Sequence, residues 1–453
     1  MRSIWTLCGI LLATVLVFTS VAGDSDAQGK RGKLPLIRDA EIEALLKDYT
    51  TPIFNAASLG KGAVDVYILN DARFNAFVTG RRMFINTGAL MISEKPNEII
   101  GVIAHETGHI KGGHLTRLRD RMDRANILGI LSALAGAGAM IAGGEAGDAA
   151  AGALMMGGQS AIQRDLLAYQ RSEEVAADNA AVDLLTKTGQ SGQGMLTTFE
   201  RMGQNLLFSS GGRDPYSRSH PMPRDRIALL ENVVRKSPSV NAKDPPQLQL
   251  RHDMARAKIA AYSGRANQLR SMFSEPSGVP ARYGLAIALF LTGSIRDAIP
   301  TMDRLISEQP KNPYLYEMRA EMLMRGGQAT AAVKDLRKAI SLEKHKSGLL
   351  RVALGHAYLE TRDPKNVDAA IRELKNGLSR DPTTPRGYGL LARAYGQKGN
   401  GDLARAAAAQ EAYYALRIKE AKRLAKLAQP KLKQGSPEWL RMQDIIDYKP
   451  PKK

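Results

Sequence analysis

Cysteine is almost absent from this sequence. The only one, Cys8, lies inside an N-terminal apolar run, residues 4–17. A lipid-bearing cysteine would follow such a run, so lipidation is not expected. Arg2 before the run and Ser20-Val21-Ala22 after it give residues 1–22 the form of a secretory signal. Ser25-Asp26-Ala27 is a second candidate cleavage site. An uncleaved anchor helix is the alternative. Removal of the signal leaves no cysteine. Disulfides and a thiol nucleophile are then excluded, and the chain suits an oxidising compartment such as the periplasm. Acidic residues are also in short supply, 45 against 64 Lys and Arg, for a formal net charge of +19. A basic surface meets nucleic acid, anionic lipid or acidic protein. Zinc-finger and RRM signatures are lacking, so no nucleic-acid partner is expected. The charge is read as favouring an anionic envelope surface or acidic clients.

Long hydrophobic runs are few. Beyond the N-terminus there are two, residues 127–144 and 149–162, rich in Ala and Gly and separated by Glu145 and Asp148. The first is just long enough to suggest a membrane span. Ala and Gly gain little on transfer to lipid, so the pair is read as a helical hairpin packed beside a site or touching a membrane peripherally.

What is present suffices for two domains and a processed segment: 453 residues, 44% of them hydrophobic. Helical spacing marks residues 39–49, 97–118 and 164–188. Val64 to Leu69 alternates and reads as a strand. Asn75 to Val78 and Met83 to Ile85 flank Gly80 as a hairpin. A polar, proline-containing linker, residues 237–246, is taken as the domain boundary. Beyond it Ala298, Ala332, Ala370 and Ala404 recur at offsets of 34, 38 and 34 residues. Gly293, Gly327 and Gly399 fall in the intervening turns. A helix-turn-helix period near 34 with a small residue at the close-packing position is the TPR signature, and stacked pairs leave a concave binding face. Residues 251–274 read as a further, degenerate pair. The fold class expected is α+β: a mainly helical metalloprotease domain with a small sheet over residues 34–236, an all-α TPR solenoid over 247–428, and a basic tail over 429–453.

Histidine is scarce as well, seven in all, which gives weight to His105-Glu106-Thr107-Gly108-His109. On a helix, residues four apart share a face, so both imidazoles can hold one metal ion. Glu106, rotated off that face, can act as base and acid on a water. A catalytic zinc needs a third protein ligand and an open position. Glu174 and Asp178, four apart in a helix rich in alanine, supply a ligand and a carboxylate to orient a ligand histidine. Taken alone that ExxxD pattern is only a charged helix face; downstream of HExxH it gains meaning. Glu173 is expected to point elsewhere and be exposed.

HExxH followed by ExxxD resembles the gluzincin metallopeptidases related to the membrane protease HtpX. His114 completes a form similar to that family's extended HExxH-x4-H. Ser219-His220-Pro221-Met222-Pro223, followed by Arg226, looks like the family's His-Pro element. A signal and a TPR domain add a likeness to the periplasmic members, and the resemblance spans nearly the whole mature chain. It implies a zincin-like fold and one zinc per chain on His105, His109 and Glu174. It also implies that His220 caps the metal as a gating fourth ligand, and that Arg226 assists near bound substrate or its oxyanion. His114 is read as structural; His252, His345 and His356 receive no chemistry. The implied activity is cleavage of misfolded or stalled envelope and outer-membrane proteins. TPR-mediated binding of clients or barrel-assembly machinery, and chaperone activity, go with it. The edge around Asn75-Ala76-Phe77 suits substrate binding by strand addition. The stretch between Asn126 and Gln159 is long for the family, which leaves a lid or membrane-contacting role open. Two rivals remain: a non-proteolytic assembly factor with a structural metal site, against which an intact Glu106 argues, and a membrane-embedded protease with residues 127–162 in the bilayer.

Overall fold

Asp39 precedes residues 40–56; its carboxylate accepts from the Ile42 N–H and caps helix α1 (Ala40–Ala56). A computed structural model describes residues 35–142, 145–208, 215–221 and 224–450. The signal expected over residues 1–22 lies outside them. Strands β1 (Leu36–Ile37), β2 (Asp65–Leu69), β3 (Ala76–Thr79) and β4 (Arg82–Asn86) form a sheet of order β1-β2-β4-β3. β2 runs parallel to β4. β3 pairs antiparallel with β4 across the turn at Gly80, with Phe77 opposite Phe84. β3 is therefore a sheet edge.

After the short helix α2 (Thr87–Ile92) comes the helix that carries HExxH, α3 (Pro96–Gly112). Proline at its first position and extended Lys95 before it set the start. Its apolar lead-in, Ile99, Ile100, Val102 and Ile103, is almost wholly buried. The helix stops sooner than the expected residue 118. Gly113 takes φ 64°, and its N–H bonds back to the carbonyls of His109 and Ile110. A left-handed cap favours glycine because it has no Cβ. The chain then turns into α4 (His114–Ala142), which pairs with α5 (Glu145–Lys187). α5 is one continuous helix of 43 residues, longer than the 164–188 element expected; its Ala- and Gly-rich first half holds no proline and pairs with α4. No described helix is long and apolar enough to cross a membrane.

The lower half of α5 lies against α3. Ala177 and Ala181 are fully buried there, while Ala176 points outward. The approach is close: a Cβ on Gly108 would sit 2.8 Å from the Ala177 carbonyl oxygen. Helices α6 (Gln193–Phe208), α7 (Pro215–Ser219) and α8 (Arg224–Lys236) complete this part. Buried Asn97 ties it together, donating to the Ser191 carbonyl and accepting from the Gly194 N–H.

Helix α9 (Pro246–Tyr262) is followed by a 3₁₀ turn at Ala266–Gln268, where a second helix was expected. Then come α10 (Val279–Leu291), α11 (Ile295–Glu308), α12 (Pro313–Arg325), α13 (Ala329–Leu342), α14 (Gly348–Glu360), α15 (Val367–Arg380), α16 (Pro385–Gln397) and α17 (Gly401–Tyr414). Ala298, Ala332 and Ala370 each occupy the fourth residue of the second helix of a pair and are fully buried; Ala404 does so half-buried. The 38-residue interval arises mainly at the turn before α15, residues 361–366, which holds an extra 3₁₀ turn at Pro364–Asn366. Two more helices, α18 (Ile418–Ala428) and α19 (Pro437–Asp447), close the stack, so the expected tail is partly helical, with Met442 and Ile445 buried.

Candidate metal centre

Two helices and one loop meet at the buried end of α3. His105 and His109 come from α3, Glu174 and Asp178 from α5, and His220 from the turn after α7. His105 is fully buried; His109, Glu174 and His220 are nearly so. One donor atom from each of His105, His109, Glu174 and His220 lies within 4.8 Å of all the others. The two Nε2 atoms of His105 and His109 are 3.0 Å apart. Glu174 stands 3.4 Å from each of them through its two oxygens. His220 Nδ1 lies 2.9 Å from Glu174 Oε1 and 3.3 Å from His105 Nε2.

Outside this ring of donors lie the groups that hold it. Asp178 Oδ1 is 2.9 Å from His105 Nδ1, which leaves the other nitrogen of that ring facing the cluster. Arg226, 4% exposed, donates to both oxygens of Asp178 at 2.6 and 2.8 Å and lies 2.8 Å from Glu174. Its charge offsets two buried carboxylates, without which their desolvation would be uncompensated. Glu106 is buried, and its Oε1 accepts no hydrogen bond in the protein. The nearest ring nitrogen, His220 Nε2, is 3.4 Å away.

Electrostatics follow from these contacts. Burial opposes a charge on His105, but Asp178 and Glu174 outweigh it and push its pKa up to about 9. Burial and the charge of His105 drive His109 down to about 2. Glu174 is held well below the usual carboxylate range; burial works against this, and the hydrogen bonds from His105 and His220 win. Glu106 goes the other way, raised by burial. Three imidazoles and an ionised carboxylate, all buried and converging, with an orphaned carboxylate oxygen beside them, fit a divalent metal ion.

A match to the family model for peptidase family M48 covers residues 37–234. Those residues are an M48 peptidase domain. The chain is thus a metalloendopeptidase, and the M48 domain is followed by a match to the tetratricopeptide repeat model over residues 283–345. The chain is similar to the beta-barrel assembly-enhancing protease of Escherichia coli (strain K12), 24% identical over 437 residues, 94% of this chain and 86% of that one. A putative beta-barrel assembly-enhancing protease of Vibrio cholerae is 28% identical over 394 residues, 84% and 78% of the two chains. Metalloprotease YcaL of Escherichia coli is 28% identical over 190 residues, 42% of this chain and 61% of that one.

A cleft of about 230 Å³ opens onto the M48 site, lined by Phe77 and Val78 of β3 together with Glu106, His109, Glu174 and His220. Three features of the site had no sequence signal. Tyr216 is fully buried, its ring 4.6 Å from that of His220, and Phe199 stands edge-on to His105 at 5.7 Å; lone aromatics carry no motif. Glu173 is not exposed as expected: its carboxylate lies 3.0 Å from His114 and 2.7 Å from Arg117.

Proposed function

We propose that this protein is a zinc endopeptidase of the cell envelope, exported to the periplasm, that cleaves misfolded or stalled envelope and outer-membrane proteins. His105, His109 and Glu174 would hold the zinc, with His220 as a removable fourth ligand. Nitrogen-rich, buried donor sets of this kind suit zinc. Zinc held there would supply Lewis acidity at a peptide carbonyl and acidify a water. The chain's own residues do the rest. Glu106 takes a proton from that water and returns it to the leaving amine; its raised pKa suits both tasks. Asp178 fixes the His105 ring, and Arg226 keeps Asp178 and Glu174 ionised. In this reading Arg226 serves the carboxylates rather than an oxyanion. A substrate strand pairs with the free edge of β3, which lines the cleft, and so brings its carbonyl to the site.

The repeat helices recruit clients or barrel-assembly machinery and lend a holding, chaperone-like activity. Support comes from the similarity to the beta-barrel assembly-enhancing proteases and from the tetratricopeptide repeat match. Residues 127–162 touch the membrane peripherally. The observation that carries the reading is a buried Glu106 oxygen that accepts no hydrogen bond, next to four converging donors. Glu106→Gln tests it. Metal should stay bound while casein hydrolysis falls by roughly 10²-fold or more, because the ligands remain and proton transfer is lost. Hydrolysis by that variant at the wild-type rate would refute the assignment.

A further inference from the structure

We infer that His114 and Glu173 form a positioning relay that fixes the His109 ring for metal binding. The inference rests on the metallopeptidase reading; from the sequence His114 is only a structural member of the extended motif, and Glu173 belongs to none. His109 turns Nε2 toward the donor cluster, 3.0 Å from His105 Nε2. A neutral imidazole that offers the lone pair of Nε2 carries its proton on Nδ1. His109 Nδ1 lies 2.9 Å from His114 Nδ1. His109 therefore donates and His114 accepts. That places the His114 proton on Nε2, which is 3.0 Å from Glu173 Oε2. One arrangement of protons satisfies all three groups, and it ends on a carboxylate.

The local structure is built around this contact. The left-handed turn at Gly113 ends α3 and starts α4 at His114, so the ring folds back over His109 at 4.9 Å between centroids. A Cβ on Gly112 would fall 2.1 Å from His114 Nε2, so the ring's seat exists only because residue 112 has no side chain. Glu173 is anchored in turn. Arg117 Nη2 meets it at 2.7 Å, while the same guanidinium bonds to the Gly112 carbonyl and to Tyr169 Oη at 3.2 Å. His105 receives its carboxylate directly from Asp178; His109 receives one through an intervening imidazole. The adjacent pair Glu173-Glu174 thus divides its labour, Glu174 facing the metal donors and Glu173 supporting His109 from behind.

A role in packing alone and a role in positioning differ in what rescues the site. His114→Phe keeps a ring and removes the acceptor. His114→Asn supplies an acceptor oxygen near the place of Nδ1. Glu173→Gln keeps an acceptor for the Nε2–H, and Glu173→Leu does not. The zinc affinity of the full chain, read by competition with a chelator, should fall ~10–100-fold in His114→Phe and Glu173→Leu, the usual range when a group behind a metal ligand is lost. It should stay within about threefold of wild type in His114→Asn and Glu173→Gln, the lower edge of that range being excluded. Casein KM should be unchanged throughout. Wild-type zinc affinity in His114→Phe and Glu173→Leu would overturn the relay, as would equal losses in the Asn and Phe variants. A wild-type chain that binds no divalent metal would instead sink the metallopeptidase reading, so the two failures are distinguishable.

Discussion

At the scale of single residues, the site depends on which atoms face one another at 3 Å. His220 reaches Glu174, His105 and, at 3.4 Å, Glu106. In the proposed function, a side chain in that place would compete with substrate for the open position on a bound metal. Removing it with His220→Ala should raise basal casein hydrolysis several-fold, roughly the scale of 1 kcal/mol, with metal content unchanged. Unaltered or lower turnover with zinc retained would speak against gating. His105, Glu106 and His109 were legible in the sequence because one helix and a spacing of four dictate their geometry. Asp178 behind His105 was legible for the same reason. Arg226 was noticed but read toward substrate, since no spacing rule shows that a residue 48 positions on would pair with Asp178. The His114–Glu173 contact escaped altogether, because it needs the break at Gly113 that pattern reading carried through as helix to residue 118.

At the scale of elements, the α4–α5 hairpin is the part least explained by the peptidase core. Ile127, Leu128, Ile130 and Leu131 are each more than half exposed, at 58, 52, 61 and 55%. Closer to the site the same helix carries Arg117 and Arg121, with much of each side chain in solvent. Apolar residues beyond two partly exposed arginines suit the headgroup region of an anionic bilayer, the peripheral contact proposed above. The chain should co-float with vesicles containing anionic lipid at low salt and release as salt rises. Ile130→Asp with Leu131→Asp should abolish flotation while casein hydrolysis persists. Flotation equal in both proteins would exclude the hairpin as the contact. Ala- and Gly-rich composition predicted a hairpin correctly but misjudged its length. α5 runs unbroken through 43 residues despite four glycines in its first half, paired along α4, and composition gives no stopping point.

At the scale of the whole chain, residues 37–453 form one compact unit, and α9, the helix after the linker, shares the core of the peptidase part. Ala257, Ile259 and Ala260 of α9 join the cluster that contains Leu45, Ile53 and Ile103. His252 is the polar centre of that joint. It accepts from Tyr49 Oη at 2.9 Å and donates from Nε2 to the Ser93 carbonyl at 2.8 Å. Burial, with a further contribution from Arg256, lowers its pKa from 6.5 to about 4. The unfolded chain therefore binds the proton first as pH falls. The stability this histidine contributes is complete above about pH 6.5 and is lost progressively toward pH 4, by up to ~3 kcal/mol. Melting temperature followed from pH 7.5 to 4.5 should fall less steeply in His252→Gln than in the wild type; parallel curves would remove His252 from the account. The repeat period was legible because four alanines recur at one place in each pair, whereas the shared core was not, since nothing in a linear pattern says which helices touch across a linker. The central claim is a metal held jointly by α3 and α5. Elemental analysis of the purified chain beside its Glu174→Gln variant tests it most directly. The expected result is close to one zinc per wild-type chain and a large loss in the variant, and wild-type protein without a divalent metal, or a variant that holds it equally well, would contradict the claim.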